Sequence, residues 1–162
     1  MDAIHVRGGN RLFGETKIQG SKNAVLPILA AALLIEDVCV IENCPRISDV
    51  HHMLMLLEEI GCKVKRSDKA VTIDARYLSK DTMSGENVTG MRSSIMLLGA
   101  MLGRVGEVTM AYPGGCVIGE RPIDLHLSAL RKMGVRIYEK EGFFTAKAVQ
   151  LEGSVIRLSI SS

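Results

Sequence analysis

Two stretches of this chain repeat one another. Leu57-Glu58-Glu59-Ile60-Gly61-Cys62-Lys63-Val64 aligns with Leu130-Arg131-Lys132-Met133-Gly134-Val135-Arg136-Ile137, 73 positions further on. Each copy passes from the periodicity of a helix into a glycine and then into the alternation of a strand, so Gly61 and Gly134 are expected to be helix C-caps. A period of this length restricts the fold to stacked copies of one supersecondary unit, none of which can bury its apolar face alone.

Read outward from those anchors, the first unit has a helix over Ser21–Leu34, a strand over Val38–Glu42, a helix over Ser48–Ile60, and strands over Lys63–Arg66 and Ala70–Asp74. The second has a helix over Met91–Leu102, a strand over Glu107–Ala111, a helix over Pro122–Met133, and strands over Val135–Glu139 and Phe143–Lys147. Ahead of them, Ile4–Val6 and Thr16–Gln19 are expected as strands joined by a turn near Asn10; behind them, Val155–Ile160 is expected as the first strand of a third unit. The expected organisation is therefore residues 1–20 as N-terminal strands, 21–75 as the first repeat, 76–150 as the second, and 151–162 as the start of a third. The fold class is α/β (α+β), built from βαβαββ units.

Apolar residues make up 47% of the chain and charged ones 23%, the balance of a globular protein with a real core. Trp is absent and aromatics are scarce, so that core must rest on Leu, Ile, Val, Ala and Met. A net charge of +2, with no block of like charges and no aromatic interleaving, argues against nucleic acid as a partner. The longest apolar stretch, from Ala24 to Ile35, is broken by Pro27 and too short to span a bilayer, and the start of the chain lacks a signal-peptide pattern. Cys39, Cys44, Cys62 and Cys116 show no metal-type spacing. Cys39 and Cys62 fall in or beside strand patterns, as buried free thiols would. A reducing cytoplasm is the expected setting.

The strongest chemical signal is Pro113-Gly114-Gly115-Cys116-Val117-Ile118-Gly119-Glu120-Arg121-Pro122. Its glycines free the backbone around one thiol, so the loop can close on a ligand. Arg121 follows five residues later, before a proline suited to the first turn of a helix. A thiol near a guanidinium and a helix N-terminus is favoured as thiolate. The same residues can also be read as a glycine-rich hairpin with an inert cysteine.

Cations recur at the helix starts. Lys22 opens the first helix, Arg46 precedes the second, Arg92 opens the third and Arg121 precedes the fourth. A cation there is unfavourable by roughly 0.3–1 kcal/mol when exposed, yet free N–H groups beside a fixed cation are what a phosphate or carboxylate would use. Ordinary surface placement is the competing explanation, and it weighs most at Arg46. His51 and His52 are adjacent, so on a helix they diverge and make a poor metal pair. His126, one turn beyond Arg121, could face the same pocket or simply pack.

At these residues the sequence resembles the UDP-N-acetylglucosamine enolpyruvyl transferases. The motifs are Ser21-Lys22-Asn23-Ala24-Val25-Leu26-Pro27, Met91-Arg92-Ser93-Ser94, and Pro113-Gly114-Gly115-Cys116 followed by Gly119-Glu120-Arg121-Pro122-Ile123-Asp124-Leu125-His126. That family moves the enolpyruvyl group of phosphoenolpyruvate onto the 3-hydroxyl of UDP-N-acetylglucosamine, releasing phosphate, in the first committed step of peptidoglycan synthesis. The resemblance implies that Lys22 and Asn23 bind phosphoenolpyruvate, that Arg92 and Arg121 hold the anionic substrates, and that Arg121, Pro122, Ile123, Asp124 and Leu125 contact the uridine nucleotide. It implies that Cys116 is the general acid on the methylene carbon and the site of fosfomycin alkylation. No metal and no organic cofactor are implied.

The resemblance also implies an inside-out α/β barrel, helices inward and sheets outward, in two lobes of three repeats each. Against that pattern this chain matches an N-terminal portion, with two repeats and the start of a third. Its expected partners are the two substrates and the C-terminal lobe, with the isolated portion weakly active or inactive. Three other readings remain open at this point. They are the related shikimate-pathway transferase, which does not rely on such a cysteine, a non-catalytic nucleotide-sugar-binding or chain-pairing module, and a thiol redox sensor centred on Cys116.

Overall fold

The structure, a computed structural model, describes residues 3–68, 70–114, 123–158 and 160. Helix α1 (Lys22–Ala31) runs on through a 3-10 turn at Ala32–Leu34, and strand β1 (Val38–Glu42), helix α2 (Ser48–Glu59) and strands β2 (Lys63–Arg66) and β3 (Ala70–Asp74) follow. Next come β4 (Thr82–Met83), α3 (Glu86–Thr89), a 3-10 turn at Arg92–Ile95, α4 (Met96–Val105), β5 (Glu107–Ala111), α5 (Asp124–Lys132), β6 (Val135–Lys140) and β7 (Phe143–Ala148). β1, β3 and β2 form one antiparallel sheet, in that order. The second has the order β4-β5-β7-β6, with β4 parallel to β5 and the other pairs antiparallel.

Each sheet buries one face and wets the other. Val71 and Ile73 of β3 point inward, as do Val108 and Met110 of β5 and Phe144 and Ala146 of β7, and the residues between them face out. This is the period-2 alternation of a sheet covered on one side. The inward residues meet Leu26, Leu29 and Leu33 of the first helical run, Met53, Leu56 and Leu57 of α2, and Leu97, Leu98 and Met101 of α4 in a single core. Fully burying each such side chain contributes roughly 1.5–3 kcal/mol, so an aliphatic core can substitute for aromatic mass.

The repeat holds at the level of single hydrogen bonds. Gly61 and Gly134 both end their helices with positive φ, +109° and +94°. Beyond each, the chain returns to dock on the helix end: the Ser79 N–H donates to the Ile60 carbonyl at 3.0 Å, and the Glu152 N–H donates to the Met133 carbonyl at 3.0 Å. The two donors and the two acceptors each lie 73 positions apart, the period of the sequence repeat. The two units are also joined to each other. Arg104, with its side chain 10% exposed, reaches back from α4; Nη2 donates to the Ala75 carbonyl at 3.2 Å, and Nη1 meets Glu36 as an ion pair.

Two stretches differ from expectation. Residues 3–20 form no strand, and Ile4, Val6, Leu12, Phe13 and Ile18 all stand exposed. Residues 151–158 likewise form no strand, with Val155 and Leu158 exposed. A strand exists only through a ladder partner, and no strand of either sheet pairs with these segments. The helix expected over Met91–Leu102 is divided into a 3-10 turn and α4, with the buried Ser94 inside the turn.

Cys62 is buried, and Cys39 and Cys44 are half-buried. Burial first, then the nearby Asp74 carboxylate, pushes the Cys62 thiol up to about 12. Burial also raises Cys44, with Arg66 opposing it. Cys62 is therefore expected to resist iodoacetamide at neutral pH until the chain unfolds. Peptide mass mapping across a urea titration checks this, with Cys62 labelling only through the unfolding transition. No helix among the described residues is long and apolar enough to cross a membrane.

Candidate functional site

The helices point the same way. Lys22, the first residue of α1, pairs with Asp49, the second residue of α2, at 2.6 Å. At the opposite end, Leu34 lies 3.4 Å from where a Cβ on Gly103 would sit, and Arg104 pairs with Glu36, so the trailing ends of α1 and α4 are neighbours. Arg92 and Ser93, before α4, line one groove with His126 of α5. The four helix starts therefore gather at one end of the helical layer, where their partial positive charges add to those of the side chains.

Arg92 is presented by a built turn. Ser94 is fully buried, and its hydroxyl lies 2.7 Å from the Met91 carbonyl and 3.1 Å from the Val88 carbonyl. This side-chain bond to the backbone competes with α-helical pairing and tightens the segment into a 3-10 turn. Ser94→Ala would remove this hydrogen bond while both carbonyls keep a backbone N–H donor, from Ser94 and Met91 respectively, at a cost of about 0.5–1.5 kcal/mol. A denaturant titration should show that loss.

The groove beside Arg92 has a volume of about 580 Å³ and is floored by Ile95, Met96, Leu98, Gly99, Ala129 and Leu130. Arg92 and His126 form its polar rim, so the structure brings His126 beside Arg92. His126 itself is exposed rather than packed. Lys22 and Asn23 are both exposed at the start of α1. Pro27 lies inside α1 and lacks an N–H, which leaves the Asn23 carbonyl without that intrahelical donor. Arg46 is taken up by an ion pair with Asp68, and Arg66 donates to the Pro45 carbonyl at 3.0 Å.

Ile123 is buried at the N-cap of α5, Asp124 is exposed as its first residue and Leu125 is half-buried. Cys116, Arg121 and Pro122 lie outside the described residues. The connection that carries them is nonetheless marked by its length. β3 recurs 73 positions on as Phe143–Lys147 within β7, whereas β1 recurs only 69 positions on as β5. The helix-to-glycine turns keep the longer spacing, so the four additional residues fall between β5 and α5. Gly114, at the root of this connection, packs so closely on α3 that a Cβ there would sit 1.4 Å from the Thr89 carbonyl oxygen. Glycine is therefore obligatory at that contact.

A cluster that sequence reasoning did not single out lies at the same root. The Tyr112 hydroxyl donates to Glu139 Oε2 at 2.7 Å, and the Arg131 guanidinium holds Glu139 Oε1. Burial first, then this carboxylate, pushes the Tyr112 phenol up to about 12. The hydrogen bond from Tyr112, then that from Arg131, holds Glu139 below its ordinary value. The three residues are spread over 27 positions, and no spacing rule links them.

The profile of the EPSP synthase (3-phosphoshikimate 1-carboxyvinyltransferase) family matches residues 6–162. A protein named UDP-N-acetylglucosamine 1-carboxyvinyltransferase 2, from Caldanaerobacter subterraneus subsp. tengcongensis, is 46% identical over 162 residues, covering all of this chain and 39% of that protein. The UDP-N-acetylglucosamine 1-carboxyvinyltransferase of Dichelobacter nodosus is 40% identical over 161 residues, covering 99% of this chain and 38% of that protein. Two solved structures share the fold. The enolpyruvyl transferase NikO of Streptomyces tendae superposes with a TM-score of 0.75 at 24% identity, over 89% of this chain and 32% of its own. The EPSP synthase of Acinetobacter baumannii gives 0.67 at 17% identity, over 92% of this chain and 35% of its own. The chain thus spans under two-fifths of the length of these relatives.

Proposed function

The chain belongs to the EPSP synthase (3-phosphoshikimate 1-carboxyvinyltransferase) family, and from that premise we propose that it is part of an enolpyruvyl transferase acting on phosphoenolpyruvate and UDP-N-acetylglucosamine. The observation that carries the proposal is the gathering of Lys22, Asn23 and Arg92 with the helix starts at one end of the helical layer, beside the root of the Cys116 connection. A substrate with both a phosphate and a carboxylate needs several cations and free N–H groups in one place. The identity to relatives named for the UDP-N-acetylglucosamine reaction favours that acceptor over shikimate 3-phosphate.

In this scheme Lys22, Arg92 and Arg121 hold the anionic groups, and Asn23 helps to orient phosphoenolpyruvate. Arg121 through Leu125 take the uridine nucleotide. The sugar 3-hydroxyl oxygen bonds to C2 of the enol phosphate as its own proton passes to solvent, while the Cys116 thiol gives its proton to the methylene carbon and becomes a thiolate. Phosphate then leaves from C2 as the new methyl group gives a proton back to that thiolate, which restores the double bond and the thiol. Fixed cations stabilise the charge that develops. The proposed setting is cytoplasmic peptidoglycan synthesis, and with it cell-wall growth and division, with Cys116 open to fosfomycin. The remainder of such an enzyme would cover residues 3–20 and the helix faces around Ile28 and Met96, both exposed here.

The test is an NMR titration of the chain. Phosphoenolpyruvate should shift the signals of Asn23, Arg92 and His126 together, and UDP-N-acetylglucosamine should shift those of Asp124 and Leu125. Equal shifts with shikimate 3-phosphate, and none with the nucleotide sugar, would overturn the choice of acceptor.

A further inference from the structure

Lys22 does not stand alone at its helix end. Its Nζ lies 2.6 Å from Oδ2 of Asp49, which belongs to a different helix, and the two members of the pair are unequal. The Lys22 side chain is 52% exposed and that of Asp49 26%. Asp49 directly precedes Val50, which is fully buried in the core. A short carboxylate in the first turn of α2 has little room to move, and the helix dipole favours it there. Lys22 is the reverse, a long flexible stem whose charge the dipole of α1 repels. Asp49 is therefore the fixed member of the pair, and Lys22 the member that is held. Arg46 offers a contrast, since its partner Asp68 has a side chain 91% exposed and free to swing with it.

At this exposure the pair adds little to global stability. Its effect is on order. An ammonium has three donors, and half of the Lys22 side chain stays open to solvent while Asp49 engages it. A ligand that meets a free lysine must immobilise the stem, whereas one that meets a lysine already held avoids that loss. A carboxylate beside an anion site also repels the anion. Charge and order thus predict opposite signs for the removal of Asp49. Surrounding water weakens the repulsion, but it does not weaken the ordering.

We propose that Asp49 is a positioning residue, which holds the Lys22 ammonium in place for an anionic substrate group and touches no substrate itself. The use of that placement rests on the reading of Lys22 as a phosphoenolpyruvate contact; the holding of Lys22 does not.

Asp49→Asn keeps the size of the side chain and removes its charge. In an NMR titration of the chain, phosphoenolpyruvate is expected to bind Asp49→Asn at least about threefold more weakly than the unsubstituted protein. Asp49→Glu, which restores a carboxylate, should recover most of the loss. In a Lys22→Ala background, Asp49→Asn should weaken binding no further, because it acts through that one ammonium. Without ligand, carbon relaxation at Lys22 Cε should give a lower order parameter in Asp49→Asn, with the methyl groups of Leu26 and Leu57 unchanged. If Lys22→Ala weakens binding but Asp49→Asn binds equally or more tightly, the proposal is overturned. A further loss in the Lys22→Ala background, or an unchanged order parameter at Lys22, would overturn it as well. If Lys22→Ala binds as the unsubstituted protein does, the reading of Lys22 fails by itself, and the relaxation measurement still decides whether Asp49 holds it.

Discussion

Replacing Gly134 by alanine is expected to lower the folding free energy by roughly 2–4 kcal/mol, a large share of the total for a domain of this size. Two effects combine there. φ is +94°, a left-handed conformation that a side chain strains, and the new Cβ would lie 2.3 Å from the Gln150 carbonyl oxygen. That oxygen is backbone, so no rotamer change can relieve the contact. Gly61→Ala should cost a similar amount, since φ is +109° and the Cβ would meet the Ser79 N and the Tyr77 carbonyl at 2.7 and 2.9 Å. Gly99→Ala is the contrasting substitution. It lies within α4 with nothing near its Cβ, and it should stabilise by roughly 0.5–1 kcal/mol. Urea unfolding of the three variants checks both signs at once.

Cys116→Ser is expected to reduce enolpyruvyl transfer by about 10²–10⁴-fold in any assembly that restores turnover, the usual share of a positioned general acid. A serine hydroxyl fills nearly the same space and can still hydrogen-bond, but it is too weak an acid to deliver a proton to carbon at the required moment. Substrate binding through Lys22 and Arg92 should survive, so kcat falls while KM changes little. An equal loss in KM would assign Cys116 to binding instead.

The regular parts of this fold are legible in the sequence because short-range rules decide them. The Gly61 and Gly134 turns follow from helix periodicity meeting a glycine, and the paired strands Ala70–Asp74 and Phe143–Ala148 follow from alternation. β4 and α3, with two and four residues, are too short to show any period. Residues 3–20 have strand-like composition, yet strand formation depends on a partner elsewhere, which composition does not encode. The break at Arg92–Ile95 depends on one buried hydroxyl, that of Ser94, whose burial is a tertiary fact. The cations at the helix starts are visible as positions, but not the Asp68 that occupies Arg46. The Tyr112–Glu139–Arg131 cluster joins residues distant in sequence and leaves no local pattern to read.

The most direct test of the account is phosphate release by a chimaera in which residues 1–162 replace the matching segment of the 46%-identical relative. The account predicts release of phosphate from phosphoenolpyruvate that requires UDP-N-acetylglucosamine and collapses in the Cys116→Ser form. A folded chimaera that binds both substrates but releases no phosphate, or one whose Cys116→Ser form is equally active, would contradict it.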